Sequence, residues 1–174
     1  MENNVAICDD FGLGEGRPED AEWEHKHLSV SVADEEYAVA VAKVREIIGV
    51  SPMTTLPNMP HHIRGVLNLR GSVVPIVDLR LKYGLEAREY TDRTCIVVLE
   101  LAGQTGPSLM GVVVDSVNEV VRIPPAAIDP PPAGSSHMMA GAIPGVCTEG
   151  DKVFIIVDIE QALADDAFYA DSSY

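Results

Sequence analysis

The stretch Gly65 to Arg80, GVLNLRGSVVPIVDLR, sets one Arg-Gly pair inside a dense apolar strand pattern, and the chain repeats it. At an offset of 80, Gly65-Val66 falls on Gly145-Val146, Val73 on Val153 and Ile76-Val77-Asp78 on Ile156-Val157-Asp158, six identities in 14 positions. At an offset of 73 the preceding segment repeats too, Val39, Val41, Val44, Glu46 and Pro52 falling on Val112, Val114, Val117, Glu119 and Pro125. Two blocks recurring in the same order mark a duplicated unit. Two copies are too few for a solenoid, so the expectation is two small lobes, 28–84 and 95–164, packed on each other.

The residues within each unit favour strands. Val and Ile are abundant while aromatics make up 5% of the chain, which suits sheets of branched aliphatics better than an aromatic-lined ligand pocket. Leu28 to Val32 alternates with period two, and Ala33 to Glu36 turns the chain into a hairpin. Val41, Val44, Ile47 and Ile48 then space as a short helical stripe ending at Gly49. Two strands follow over Gly65 to Val77 with Arg70-Gly71 at their turn, and Asp78 caps a brief helix over Leu79 to Tyr83 that Gly84 stops. The second half repeats the order, Asp158 capping a last helix through Leu163. The valines at 117, 120 and 121 fit either a helix or a strand.

Charge and composition narrow the function. Of the net −15, residues 1–27 supply −6 from eight acids and two bases, and residues 165–174 supply −3. Excess acid repels phosphate and anionic lipid, which disfavours nucleic acid and membrane surfaces as partners. No run approaches the ~20 apolar residues of a membrane helix, and MENNVAICDD lacks a signal peptide's regions, so a cytoplasmic protein is expected. Residues 1–26 read as an acidic, disordered tail and 167–174 as a second short one, with Trp23 expected to pack back onto the domain. Cys95 and Cys147 read as small buried apolar residues, with Cys8 in the tail.

No catalytic set emerges. Two lobes that each end a strand in aspartate raise the thought of a hydrolase using Asp78 and Asp158, yet neither stands in the Asp-Thr/Ser-Gly turn that brings two carboxylates onto one proton. Helix capping is the favoured reading of both. His25, His27, His61, His62 and His137 have no metal-ligand spacing, so no metal and no cofactor is expected. Arg70 stands apart. A guanidinium between Leu69 and Gly71 must reach solvent, a carboxylate or a partner, and Glu46 is its plausible mate. Arg70 has no counterpart in the repeat, where Gly150 takes its place, which marks it for partner recognition.

With these residues in view, Gly65-Val66-x-Asn68-Leu69-Arg70-Gly71-x-Val73-x-Pro75-Ile76-Val77-Asp78-Leu79-Arg80 resembles the signature of the CheW family of bacterial chemotaxis coupling proteins. The likeness extends over 27–166, taking in Glu36-Tyr37, Val44-x-Glu46-Ile47, Gly111 to Val117 and Ile156 to Glu160. The resemblance implies a mainly β fold of two five-stranded SH3-like barrels sharing a further hydrophobic core. It implies an adaptor without chemistry, bridging the cytoplasmic tips of methyl-accepting chemoreceptors to the regulatory domain of the histidine kinase CheA. By the same resemblance Val44, Glu46, Gly65 and Arg70 line a receptor-binding groove, with Val117 and Val120 on its other side and Gly65 admitting a receptor helix close to the backbone. A free decoy that binds kinase but no receptor is the remaining alternative.

Overall fold

The computed structural model describes residues 25–82, 84–86, 88–103, 106–131 and 142–166. The expectations for Trp23, Cys8, Tyr83, His137 and the tails at 1–24 and 167–174 lie outside them, while Lys26, counted with the N-terminal tail, lies in the first strand opposite Arg122. Ten strands form two five-stranded sheets: β1 (Lys26–Val32), β2 (Glu35–Ala40), β3 (Val44–Gly49), β4 (Ile63–Leu69), β5 (Ser72–Asp78), β6 (Cys95–Gly103), β7 (Gly106–Val114), β8 (Ser116–Arg122), β9 (Gly145–Glu149) and β10 (Lys152–Val157). The short helices are α1 (Leu79–Lys82) and α2 (Ile159–Ala162), with single 3-10 turns at Val41–Lys43 and Pro125–Ala127.

The hairpins form where the turn chemistry puts them. Ala33 and Asp34 between β1 and β2, and Arg70 and Gly71 between β4 and β5, all have positive φ, the combination whose twist matches two antiparallel strands. Asn68 Oδ1 accepts the Gly71 N–H at 2.9 Å and fastens the second of these turns.

The helix expected from Val41 to Ile48 is one 3-10 turn followed by strand β3. A β-bulge explains the misleading spacing. Val44 faces Leu99 and Glu46 faces Val98, so Arg45 is an extra residue that brings Val44 and Ile47 to the same face. The repeat keeps the device: in β8 the register shifts between Ser29 and Val30, Glu119 and Val117 face them, and Asn118 is the extra residue. An i, i+3 apolar pair is thus made by a strand in both units.

The lobes are not the two halves of the chain, as the 28–84 and 95–164 division had it. The first sheet runs β8-β1-β2-β10-β9 and the second β3-β6-β7-β5-β4. If β1 to β5 are matched in order to β6 to β10, each sheet takes the first two strands of one repeat and the last three of the other. The parallel pairs that join the exchanged pieces, β10 with β2 and β5 with β7, are equivalent. The chain crosses between sheets twice, once through Val41–Lys43 and once at Asp115 between β7 and β8.

Strand exchange requires three cores. Leu67, Val74, Ile76, Ile96, Val98 and Val113 fill one sheet's interior, and Ala38, Ile123, Cys147, Phe154 and Ile156 fill the other's. The largest cluster lies between the sheets, with Leu28, Val30 and Val39 from one and Val77, Val97, Leu99 and Val112 from the other. Ile76 and Val77 therefore point to different cores, and β5 reads as a continuous apolar run. Cys95 and Cys147 are buried as expected, and burial pushes both thiols up.

Candidate partner-binding site

Arg70 sits at the tip of the β4–β5 hairpin with 81% of its side chain exposed, while Glu46 on β3 is 18% exposed. Nη1 of Arg70 donates to Glu46 Oε1 at 2.5 Å and Nη2 to Oε2 at 3.4 Å. Glu46 is the expected mate, placed by a strand and not by a helix. Because β3 and β4 are the opposite edges of their sheet, this pair closes the sheet on itself. An exposed pair contributes only ~0–1 kcal/mol, so its consequence is a fixed, charged corner more than stability.

The same corner exists in the other lobe. Lys152 Nζ on β10 donates to Glu119 Oε2 on β8 at 3.2 Å, and Glu119 is the repeat partner of Glu46. The sequence alignment placed Gly150 opposite Arg70 and hid this, because the cation has moved two residues along the hairpin. Each hairpin also carries an exposed valine, Val73 at 48% and Val153 at 51%, and these two are equivalent in the repeat.

The remaining expected residues take different places. Val44 is 6% exposed and belongs to the core between the sheets, so it backs β3 and offers no apolar seat at the surface. Val117 and Val120 on β8 are half-buried against that same core. Gly65 is buried, and a Cβ there would lie 2.6 Å from Thr54 O. What approaches Gly65 is the chain's own segment: Thr54 and Val66 exchange backbone hydrogen bonds at 3.0 and 2.9 Å. Gly145 does the same for Asp129, with a Cβ 2.2 Å from Asp129 O. The recurrence marks both glycines as scaffold, not as openings for a partner helix.

The two aspartates have different partners. Asp158 accepts the N–H groups of Glu160 and Gln161 and caps α2. Asp78 accepts the Arg80 N–H, and its two oxygens also take Nε and Nη2 of the same arginine at 3.0 and 2.8 Å. Both members of that pair are 1% exposed. Arg80 extends Nη1 to Asp115 Oδ1 at 2.8 Å, and Tyr90 lies under its guanidinium at 5.8 Å. The hydrogen bonds to Asp78 outweigh burial and raise Arg80 above the usual arginine range. Asp78 is therefore committed to a buried cation, and no shared-proton pair with Asp158 forms. Further out, Arg88 forks onto Asp34 at 2.6 and 3.0 Å and holds that carboxyl below its ordinary range.

The sequence matches the family model described as CheW-like domain over residues 26–167. The chain belongs to the CheW-like family. It is similar to the chemotaxis protein CheW of Klebsiella aerogenes, 35% identical over 137 residues that cover 79% of this chain and 80% of the relative. The chemotaxis protein CheW of Helicobacter pylori is 31% identical over 150 residues, covering 86% and 88%. Among solved structures, the scaffolding protein TtCheW from Thermoanaerobacter tengcongensis superposes with a TM-score of 0.68 at 31% identity, covering 76% of this chain and 88% of that one. Among the described residues no helix is long and apolar enough to cross a membrane.

Proposed function

We propose that this chain is a non-catalytic chemotaxis adaptor that couples methyl-accepting chemoreceptors to the histidine kinase CheA in the cytoplasm, at membrane-associated receptor arrays. The observation that carries the reading is family membership together with an arginine held outward at a hairpin tip by a carboxylate on the strand at the sheet's opposite edge. The working unit is 26–166, Lys26 opening β1, with the acidic segment before it and the end 167–174 outside it.

Within that unit Glu46 and Arg70 make the polar contact with the receptor, and Val117 and Val120 give the half-buried apolar side of the site. Val44 and Gly65 serve it from behind, one by packing β3 and the other by letting the Thr54 backbone seat against β4. Helix-in-groove contacts of this kind rest on a few anchors. The test is whether kinase co-sediments with receptor-containing membranes only when this protein is added; equal recovery without it contradicts the reading. Arg70→Ala is expected to weaken that recruitment while thermal unfolding stays within a few degrees. A protein that binds purified kinase but no receptor membrane would be a decoy instead.

A further inference from the structure

The two places where the chain passes between sheets are held by the same three-way tie with its charges interchanged. At the first crossover Lys43, the residue before β3, donates Nζ to Glu160 Oε2 on α2 at 2.8 Å, and the same oxygen accepts the Ala102 N–H from β6 at 3.2 Å. At the second, Asp115, the residue before β8, takes Arg80 Nη1 from α1 at 2.8 Å and the Ala33 N–H from the end of β1 at 2.8 Å.

Two of the three positions are equivalent in the repeat, while Lys43 and Asp115 stand one residue out of register: Asp115 falls on Ala42 and Lys43 on Ser116. Arg80 falls on Glu160 in the repeat of the hairpin block. Leu28 faces Val39 as Val97 faces Val112, and the same step forward from Leu28 and Val97 reaches Ala33 and Ala102. In one tie the helix supplies the carboxylate and the crossover the cation; in the other the roles reverse. A carboxylate accepting a backbone N–H and a cation is common to both.

We infer that Lys43 and Glu160 are positioning residues for partner binding, holding the start of β3 so that Glu46 presents Arg70, as Arg80 and Asp115 hold the start of β8. This rests on the reading of Arg70 and Glu46 given above. The β8 tie is buried, Arg80 being 1% exposed, and so belongs to the folding of the molecule. The β3 tie is 41% and 31% exposed, so it holds more weakly, is screened by salt, and adjusts one side of the site without deciding whether the protein folds.

The full-length chain carries the test as Lys43→Glu, Glu160→Lys and the double swap, with Arg70→Ala alongside. Recruitment of kinase to receptor membranes is titrated with each protein, and amide hydrogen exchange is followed on β3. Each single reversal is expected to raise the concentration needed for half-recruitment about threefold or more and to speed exchange on Val44–Gly49, with unfolding temperature little changed. The double swap recreates the polarity of the Asp115 tie and is expected to restore both. Unchanged recruitment in both single variants, with Arg70→Ala weakened, overturns the inference alone. A folded double swap no better than the single variants overturns it as well. Arg70→Ala without effect overturns the reading of the site and this inference with it.

Discussion

Arg80 shows how much of a residue's role depends on what its neighbours do. In the sequence it follows Asp78-Leu79 as an ordinary helix-start basic residue; in the molecule it is among the largest fully buried side chains. Removing one partner of a buried pair leaves the other charge uncompensated. Arg80→Ala, which strands the 1% exposed Asp78, is expected to cost about 3–5 kcal/mol in urea unfolding, and a loss below about 1 kcal/mol contradicts this. Asp166 belongs to the same class. It is 2% exposed between His62 Nε2, at 2.8 Å, and Lys82 Nζ, and nothing in its Ala-Asp-Asp-Ala context announces burial. His27 on β1 is 8% exposed, and burial lowers its pKa below 6.5. As pH falls through the unfolded value, the unfolded chain takes up a proton that the folded one refuses, so stability is full above that value and declines below it. The urea midpoint measured from about pH 7.5 to about pH 5.5 should therefore fall less in His27→Gln than in the parent.

At the scale of elements, hairpins were legible and the bulged strands β3 and β8 were not. Turn chemistry supplies part of each hairpin: Gly71 and Asp34 take positive φ at little cost, while Ala33 and Arg70 are held there by the tight turns and, at Ala33, by the N–H that Asp115 accepts. The bulges in β3 and β8 are decided by the partner strand, and an extra residue converts the period of two into the i, i+3 spacing of a helix. Gly65 is a point of close approach, and in the structure the chain's own Thr54 backbone fills the space beside it. Gly65→Ala is accordingly expected to lower stability by about 1–3 kcal/mol, measured by thermal unfolding, through the clash with Thr54 O. A stable Gly65→Ala protein defective only in recruitment would return the glycine to the partner surface. Asp158→Ala, which removes the α2 cap, is expected to cost ~1 kcal/mol in the same assay.

For the whole molecule, strand exchange makes the two lobes thermodynamically inseparable. Each barrel is completed by strands that the other repeat supplies in sequence, and the largest core belongs to both. One cooperative transition is expected, with far-ultraviolet circular dichroism and tyrosine fluorescence giving coincident midpoints in urea; two resolved transitions would contradict it. The sequence by itself determined the duplication, the strand-rich class, the hairpin turns and the family, and offered Glu46 as a mate for Arg70, because these rest on periodicity, turn chemistry and motif; that the two residues meet was decided by strand β3 and the hairpin tip. Tertiary structure alone decided which repeat supplies which strand, that Lys152–Glu119 mirrors Arg70–Glu46 across a shifted register, and that Arg80 and Glu160 grip opposite crossovers. Those depend on contacts between residues far apart in the chain, where parallel pairing and the burial of a shared core choose among arrangements that local preferences leave equal in energy.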